Sequence, residues 1–128
     1  MSDWNDVLNV LEYDSAIRSW IHLSEASRTV QATVTTEGHG DVTMIIENGA
    51  NQLWLQLLVA ISVSPEGPIW EAAGWSLRHV PAVGLIQFGN GIAIRHGVLL
   101  SHADARAITD GITLTATAAT ILFLNTTK

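Results

Sequence analysis

No cysteine occurs in the chain, and lysine is found only at its last position, Lys128. The first absence removes disulfide frameworks, thiolate nucleophiles and zinc–thiolate sites together. The second removes the phosphate-binding loop G-x-x-x-x-G-K-[ST], and G-x-G-x-x-G is missing as well. Gly38, Gly40, Gly84, Gly89, Gly91 and Gly97 are therefore read as hairpin-turn glycines. Positive charge is scarce: Arg18, Arg28, Arg78, Arg95, Arg106 and Lys128 are scattered, against twelve acidic residues, for a net charge of −6. A phosphate backbone requires a concentrated positive field, so nucleic-acid binding is not expected.

Long apolar runs are also lacking. Gly111 to Thr127 carries no charge, but it falls short of the roughly 20 apolar residues of a spanning helix and is rich in threonine. It is read as a buried or interface helix, and no membrane partner is expected. The start, Met1-Ser2-Asp3-Trp4-Asn5-Asp6, is acidic and unlike a secretory signal, so a cytoplasmic location is expected.

What is present suits one folded domain, 1–128. At 128 residues and 48% apolar content the chain can bury a sizeable core. Ser2 is placed to cap a first helix on which Trp4, Val7, Leu8 and Leu11 share a face. Asp14–Ser27 fits two templates: Ile17, Trp20 and Ile21 suit a helix, whereas Ile17, Ser19, Ile21 and Leu23 alternate as a strand; the reading leans to helix. Val30, Ala32 and Val34 alternate with threonines, and Val42, Met44 and Ile46 alternate after a turn at Glu37-Gly38-His39-Gly40. Asn48-Gly49 then matches a tight hairpin.

The clearest period-two run occupies the odd positions Leu53, Leu55, Leu57, Val59, Ile61 and Val63. Its even side, Trp54, Gln56, Leu58, Ala60 and Ser62, is mixed, which marks a central strand or one at a subunit contact. Pro68 suits the first turn of a middle helix with Ile69, Trp70, Ala73 and Leu77 on its stripe; Gly74 weakens it and Pro81 ends it. Val83–Phe88 and Ile92–Val98 form a second hairpin around Asn90-Gly91. Ser101 and Asp104 read as a variant capping box opening a last helix, with Ala105, Ile108, Ile112, Thr115, Ala119 and Leu122 on one side; a strand from Ile112 to Thr117 is the alternative. The expected fold is α+β, a largely antiparallel five-stranded sheet (three-strand meander plus hairpin) in the order α-βββ-α-ββ-α.

Candidate chemistry has simpler structural explanations. Ser101, His102 and Asp104 have the letters of a catalytic triad, but they crowd into one helical turn where capping uses the serine and aspartate. The five histidines form neither H-x-H nor H-E-x-x-H. Only His96 and His102 stand to approach each other, which leaves a metal site short of ligands. Glu66 and Glu71 suit the positive end of the middle helix. No catalytic residue, metal or cofactor is expected. Five tryptophans outnumber two phenylalanines and one tyrosine. Trp70 and Trp75 stand about 140° apart around a helix, so one of them faces a groove, a partner or another subunit.

The element order, with Val83-Gly84-Leu85-Ile86-Gln87-Phe88-Gly89-Asn90-Gly91-Ile92-Ala93-Ile94-Arg95 and then Val98-Leu99-Leu100 leading into the last helix, resembles the type III secretion chaperone-like fold, and within it the YbjN-type proteins of bacteria. The resemblance implies a homodimer that binds polypeptide, or a regulatory protein, without catalytic residues. The expected function is a non-catalytic, protein-binding, chaperone-like or regulatory homodimer. Its expected partner surface comprises Trp54, Leu58, Trp70, Trp75, Ile112 and Ala119. The alternatives are a small-ligand sensor or binding protein and an enzyme of unknown class.

Overall fold

A computed structural model describes residues 2–37, 40–48, 53–61, 67–78, 83–89 and 91–126. The elements run α1 (Trp4–Tyr13), β1 (Ile17–Ser24), β2 (Thr29–Thr36), β3 (Gly40–Glu47), β4 (Trp54–Ile61), α2 (Gly67–Ser76), β5 (Val83–Phe88), β6 (Gly91–Leu99), a 3-10 turn (Leu100–His102) and α3 (Ala105–Thr126). All six strands join one antiparallel sheet in the order β1-β2-β3-β4-β6-β5. The α+β class and antiparallel sheet agree with expectation. The strand count does not: four strands, not three, precede the middle helix, giving α-ββββ-α-ββ-α.

The added strand is β1, where a helix was favoured. Its helical spacing comes from a register shift. Ile17 pairs with Val34 and Trp20 with Ala32, with an irregularity between Ile17 and Ser19. A bulge of this kind lets residues three apart point to the same side of a sheet. Ile17 and Trp20 accordingly both pack on the core, while Ile21, which a helix would have buried with them, is 57% exposed.

One face of the sheet is sealed. Val30, Ala32 and Val34 of β2, Met44 and Ile46 of β3, Leu55, Leu57, Val59 and Ile61 of β4, and Ile92 and Ile94 of β6 are buried. Helix α3 lies against β2, β3, β4 and β6, α1 against α3 and β1, and α2 against α3. This is a two-layer arrangement with a single core. Burying each large aliphatic side chain stabilises it by roughly 1.5–3 kcal/mol relative to exposure. Leu53 departs from the expected run: it precedes β4 and is exposed. Ser62 and Val63 lie outside the described residues.

Local chemistry explains the ends of the elements, in places by residues other than those expected. Asp3, not Ser2, caps α1: its carboxylate accepts from the Asp6 N–H at 3.0 Å, and Asp6 accepts from the Asp3 N–H at 2.9 Å. Ser2 instead donates its hydroxyl to the Ala103 carbonyl at 2.7 Å, tying the chain start to the 3-10 turn. Ser101 falls in that turn, so α3 begins later and Asp104 caps it alone by accepting from the Ala107 N–H at 2.8 Å. Ala105, expected on the buried stripe, is exposed. Asn48 is not the corner of a two-residue hairpin, because β3 stops at Glu47 and β4 starts at Trp54. It is a buried clasp: its amide donates to the Trp54 carbonyl at 3.0 Å, accepts from the Arg28 guanidinium at 3.3 Å, and its N–H reaches the Arg28 carbonyl at 3.0 Å. In the second hairpin Phe88 pairs with Gly91, so the turn lies one residue earlier than expected, with Gly89 at φ +59°.

Helix α3 carries a glycine on its buried side. A Cβ at Gly111 would stand 3.0 Å from Val98 Cγ2, so glycine lets the helix approach β6 closely. The neighbouring Thr115 is fully buried and its hydroxyl is satisfied by the Gly111 carbonyl at 2.7 Å. Among the described residues no helix is long and apolar enough to cross a membrane.

Candidate interaction face and grooves

Side chains alternate across a sheet, so the residues between the buried ones form a second face. Its central row is set by register. Ile21 pairs with Gln31, Gln31 with Ile45, Ile45 with Leu58, Leu58 with Arg95, and Arg95 with Gly84. Alongside it Glu47 pairs with Gln56, and Gln56 with Gly97. On the other side Ala60 pairs with Ala93, and Ala93 with Ile86. Ala93 is 1% exposed although it belongs to this face. The Trp54 ring lies over Gly97, where a Cβ would stand 3.4 Å from Trp54 Cε3, and the residue is still 45% exposed.

The formal charges of the strands all lie on this face: Arg18 and Arg95 against Asp41 and Glu47. Arg18 and Asp41 pair at 3.1 Å at one corner. The face is neutral, and the net −6 of the chain resides elsewhere. Two of the expected partner residues, Trp54 and Leu58, meet here. Trp75 does not; it projects from α2, 68% exposed, with the Arg78 guanidinium 3.8 Å above its ring. The side chain of Trp70 lies outside the described ones. Ile112 and Ala119 are fully buried and are corrected from surface to core: the charge-poor stripe of α3 is covered by the chain's own sheet. Ile45, Ile86, Arg95 and Glu47 were missed as members of the face. Their signal was the same alternation, read across paired strands instead of along one.

Among the described residues, polar groups gather in two of the concavities. The larger, about 750 Å³, lies between α1 and the start of α3 and is lined by Asp6, Asp14, Asp104, Asn9, Tyr13 and Ser15 among others. Asp6 and Asp104 spend one oxygen each on helix caps. Asp14 accepts from the Ala16 N–H at 2.9 Å through Oδ1, while its buried Oδ2 has no hydrogen bond among the described residues. The smaller, about 500 Å³, brings His96 and His102 together with Asp110 between β6 and α3. Among the described residues no group of three side chains is arranged to hold a metal ion. Ser101 and His102 are exposed in the 3-10 turn, with Asp104 engaged as a cap. Glu71 is exposed on α2, and Glu66, His39 and His79 lie outside the described residues.

No protein-family model matches the chain, and no curated protein matches its sequence. Its fold is similar to the crystal structure of an uncharacterized protein from Methanothermobacter thermautotrophicus, at a TM-score of 0.69 and 12% identity, over 94% of this chain and 93% of that one. At that identity the likeness establishes the shared fold.

Proposed function

We propose that the chain is a non-catalytic, protein-binding homodimer of the cytoplasm, chaperone-like or regulatory in role. The observation that carries this reading is the sheet face turned away from α3, which no helix covers among the described residues and where Trp54 is exposed and Ile45 and Leu58 are half-buried. Apolar patches of this kind mark interaction surfaces in folded proteins. Capture of polypeptide is supported by the sheet's outer edge. β1 is an eight-residue edge strand with Ile21 and Leu23 more than half exposed, and an extended segment can add to such an edge by main-chain hydrogen bonds.

Light scattering on the eluting protein tests the first half: the expected mass is twice the 13.8 kDa of the chain at micromolar concentration, and a monomer contradicts it. Fluorescence anisotropy of a labelled, permanently unfolded polypeptide tests the second. Saturable binding that is lost with Ile21→Lys is expected; no binding at ~100 μM protein, too weak for a functional contact, rejects it.

A second reading, a small-ligand binding protein, is favoured by the groove between α1 and α3 and the unsatisfied Asp14 Oδ2. A basic ligand would neutralise the carboxylates that line the groove, Asp6, Asp14 and Asp104. The expected result is a rise in melting temperature with spermidine or putrescine that Asp14→Asn abolishes; identical melting curves with and without the amines reject it.

A further inference from the structure

We infer that the uncovered sheet face docks a second copy of the same face, about a two-fold axis that passes over β4 between Gln56 and Leu58 and sets Arg95 of each copy against Glu47 of the other. The inference rests on the homodimer proposed above and supplies its surface.

Arg95 sits beside Leu58 on β6, and Glu47 beside Gln56 on β3. They flank β4 on a diagonal, two strand spacings across and two residues along, so their Cα atoms are roughly 12 Å apart. No ion pair joins them within one chain, and neither side chain has a hydrogen bond or ion pair among the described residues. A half-turn about an axis running parallel to the face and above it, over the midpoint between them and perpendicular to the line joining them, exchanges their positions in projection. Each guanidinium then faces the other copy's carboxylate. Stacked sheets lie about 10 Å apart, a gap that an arginine and a glutamate can bridge together. The contact is isologous, so one complementary pair becomes two. The same rotation lays Leu58 of one copy beside Ile45 of the other at the centre, where water is excluded.

Charge and area favour a second copy over another partner. The chain is acidic overall, and copies approaching by their helical sides repel one another; the sheet face is neutral and self-complementary. Six strands of six to nine residues outline a face of roughly 800 Å², the area that each partner contributes to a standard stable interface.

Sedimentation velocity on the full chain and its charge variants tests the arrangement. Arg95→Glu and Glu47→Arg should each raise the dimer dissociation constant at least tenfold, and combining them should restore the dimer. The neutral variants R95Q and E47Q, checked for folding by circular dichroism, should each weaken it without adding a like charge. A cysteine at the centre supplies a separate readout, because the chain has none of its own. Leu58→Cys should be cross-linked to a covalent dimer by a short bismaleimide, whereas Trp75→Cys on α2 should not. A wild-type dimer untouched by the charge variants and uncross-linked at Leu58→Cys would overturn this surface while leaving the homodimer standing. A wild-type monomer would remove both.

Discussion

The two faces of this sheet are made from the same strands and differ in what lies over them. Leu57 and Leu58 are neighbours in β4; Leu57 is fully buried beneath the helices, while Leu58 stands on the uncovered side. The covered face is aliphatic with little interruption. The uncovered one mixes Ile45, Leu58 and Trp54 with Gln31, Gln56, Arg95 and Glu47. Polar groups on the first would lose their water with nothing in return, whereas on the second they stay solvated or meet a partner. The difference separates residues that stabilise the fold from residues available for association.

The sharpest way to break that comparison is to truncate the two leucines in turn. Leu57→Ala should lower the unfolding free energy by about 2–5 kcal/mol through lost burial and a cavity. Leu58→Ala should cost under about 1 kcal/mol once the contribution of dimer dissociation is removed by extrapolating to low protein concentration. Urea titration measures both, and equal losses would mean that the faces are not distinct. Asn48→Ala comes next. It leaves the Trp54 carbonyl without its donor and should cost about 1–3 kcal/mol by the same titration. Asp3→Ala and Asp104→Ala remove the caps of the helices that seal the inner face, and about 1 kcal/mol each is expected.

The smallest effect sharpens the comparison at two glycines. Gly74 is exposed in α2 with open space where a Cβ would go, so Gly74→Ala should raise stability by up to about 1 kcal/mol. Gly111→Ala offers the same gain in helix propensity but presses a methyl against Val98 on the covered face. Thermal melts should show Gly74→Ala above Gly111→Ala; the reverse order would mean that α3 does not sit tightly on β6.

Much of this architecture was legible in the sequence. β2, β3, β4 and the β5–β6 hairpin followed period two, and the buried positions of α1 and α3 followed helical spacing. β1 was misread because a bulge puts Ile17 and Trp20 three apart on one side, a spacing that an α-helix shares. The tight turn expected at Asn48 failed because an asparagine that favours turns is also a side chain able to donate and accept at once, and here it bonds to Trp54 and Arg28 and not within a two-residue turn. Ser2 and Ser101 have the chemistry of caps, but a cap requires the helix to begin immediately afterwards, and in each case an aspartate stands nearer the start. The interaction face was half visible: Trp54 and Leu58 share a strand, but Arg95 and Glu47 come from β6 and β3 and share a neighbourhood only through pairing.

Side-chain alternation and helical spacing act between residues a few positions apart, so the chain by itself determined its α+β class, most of its strands and which residues within each strand share a side. It also determined the absence of thiol chemistry and the acidic balance, which are matters of composition. Only the tertiary structure decided that β6 lies beside β4 with β5 outside it, that β1 closes the other edge, and that the stripe of α3 is spent on the chain's own sheet. Those outcomes depend on contacts between residues far apart in sequence, where local preference is silent and the burial of apolar surface selects among the possible pairings.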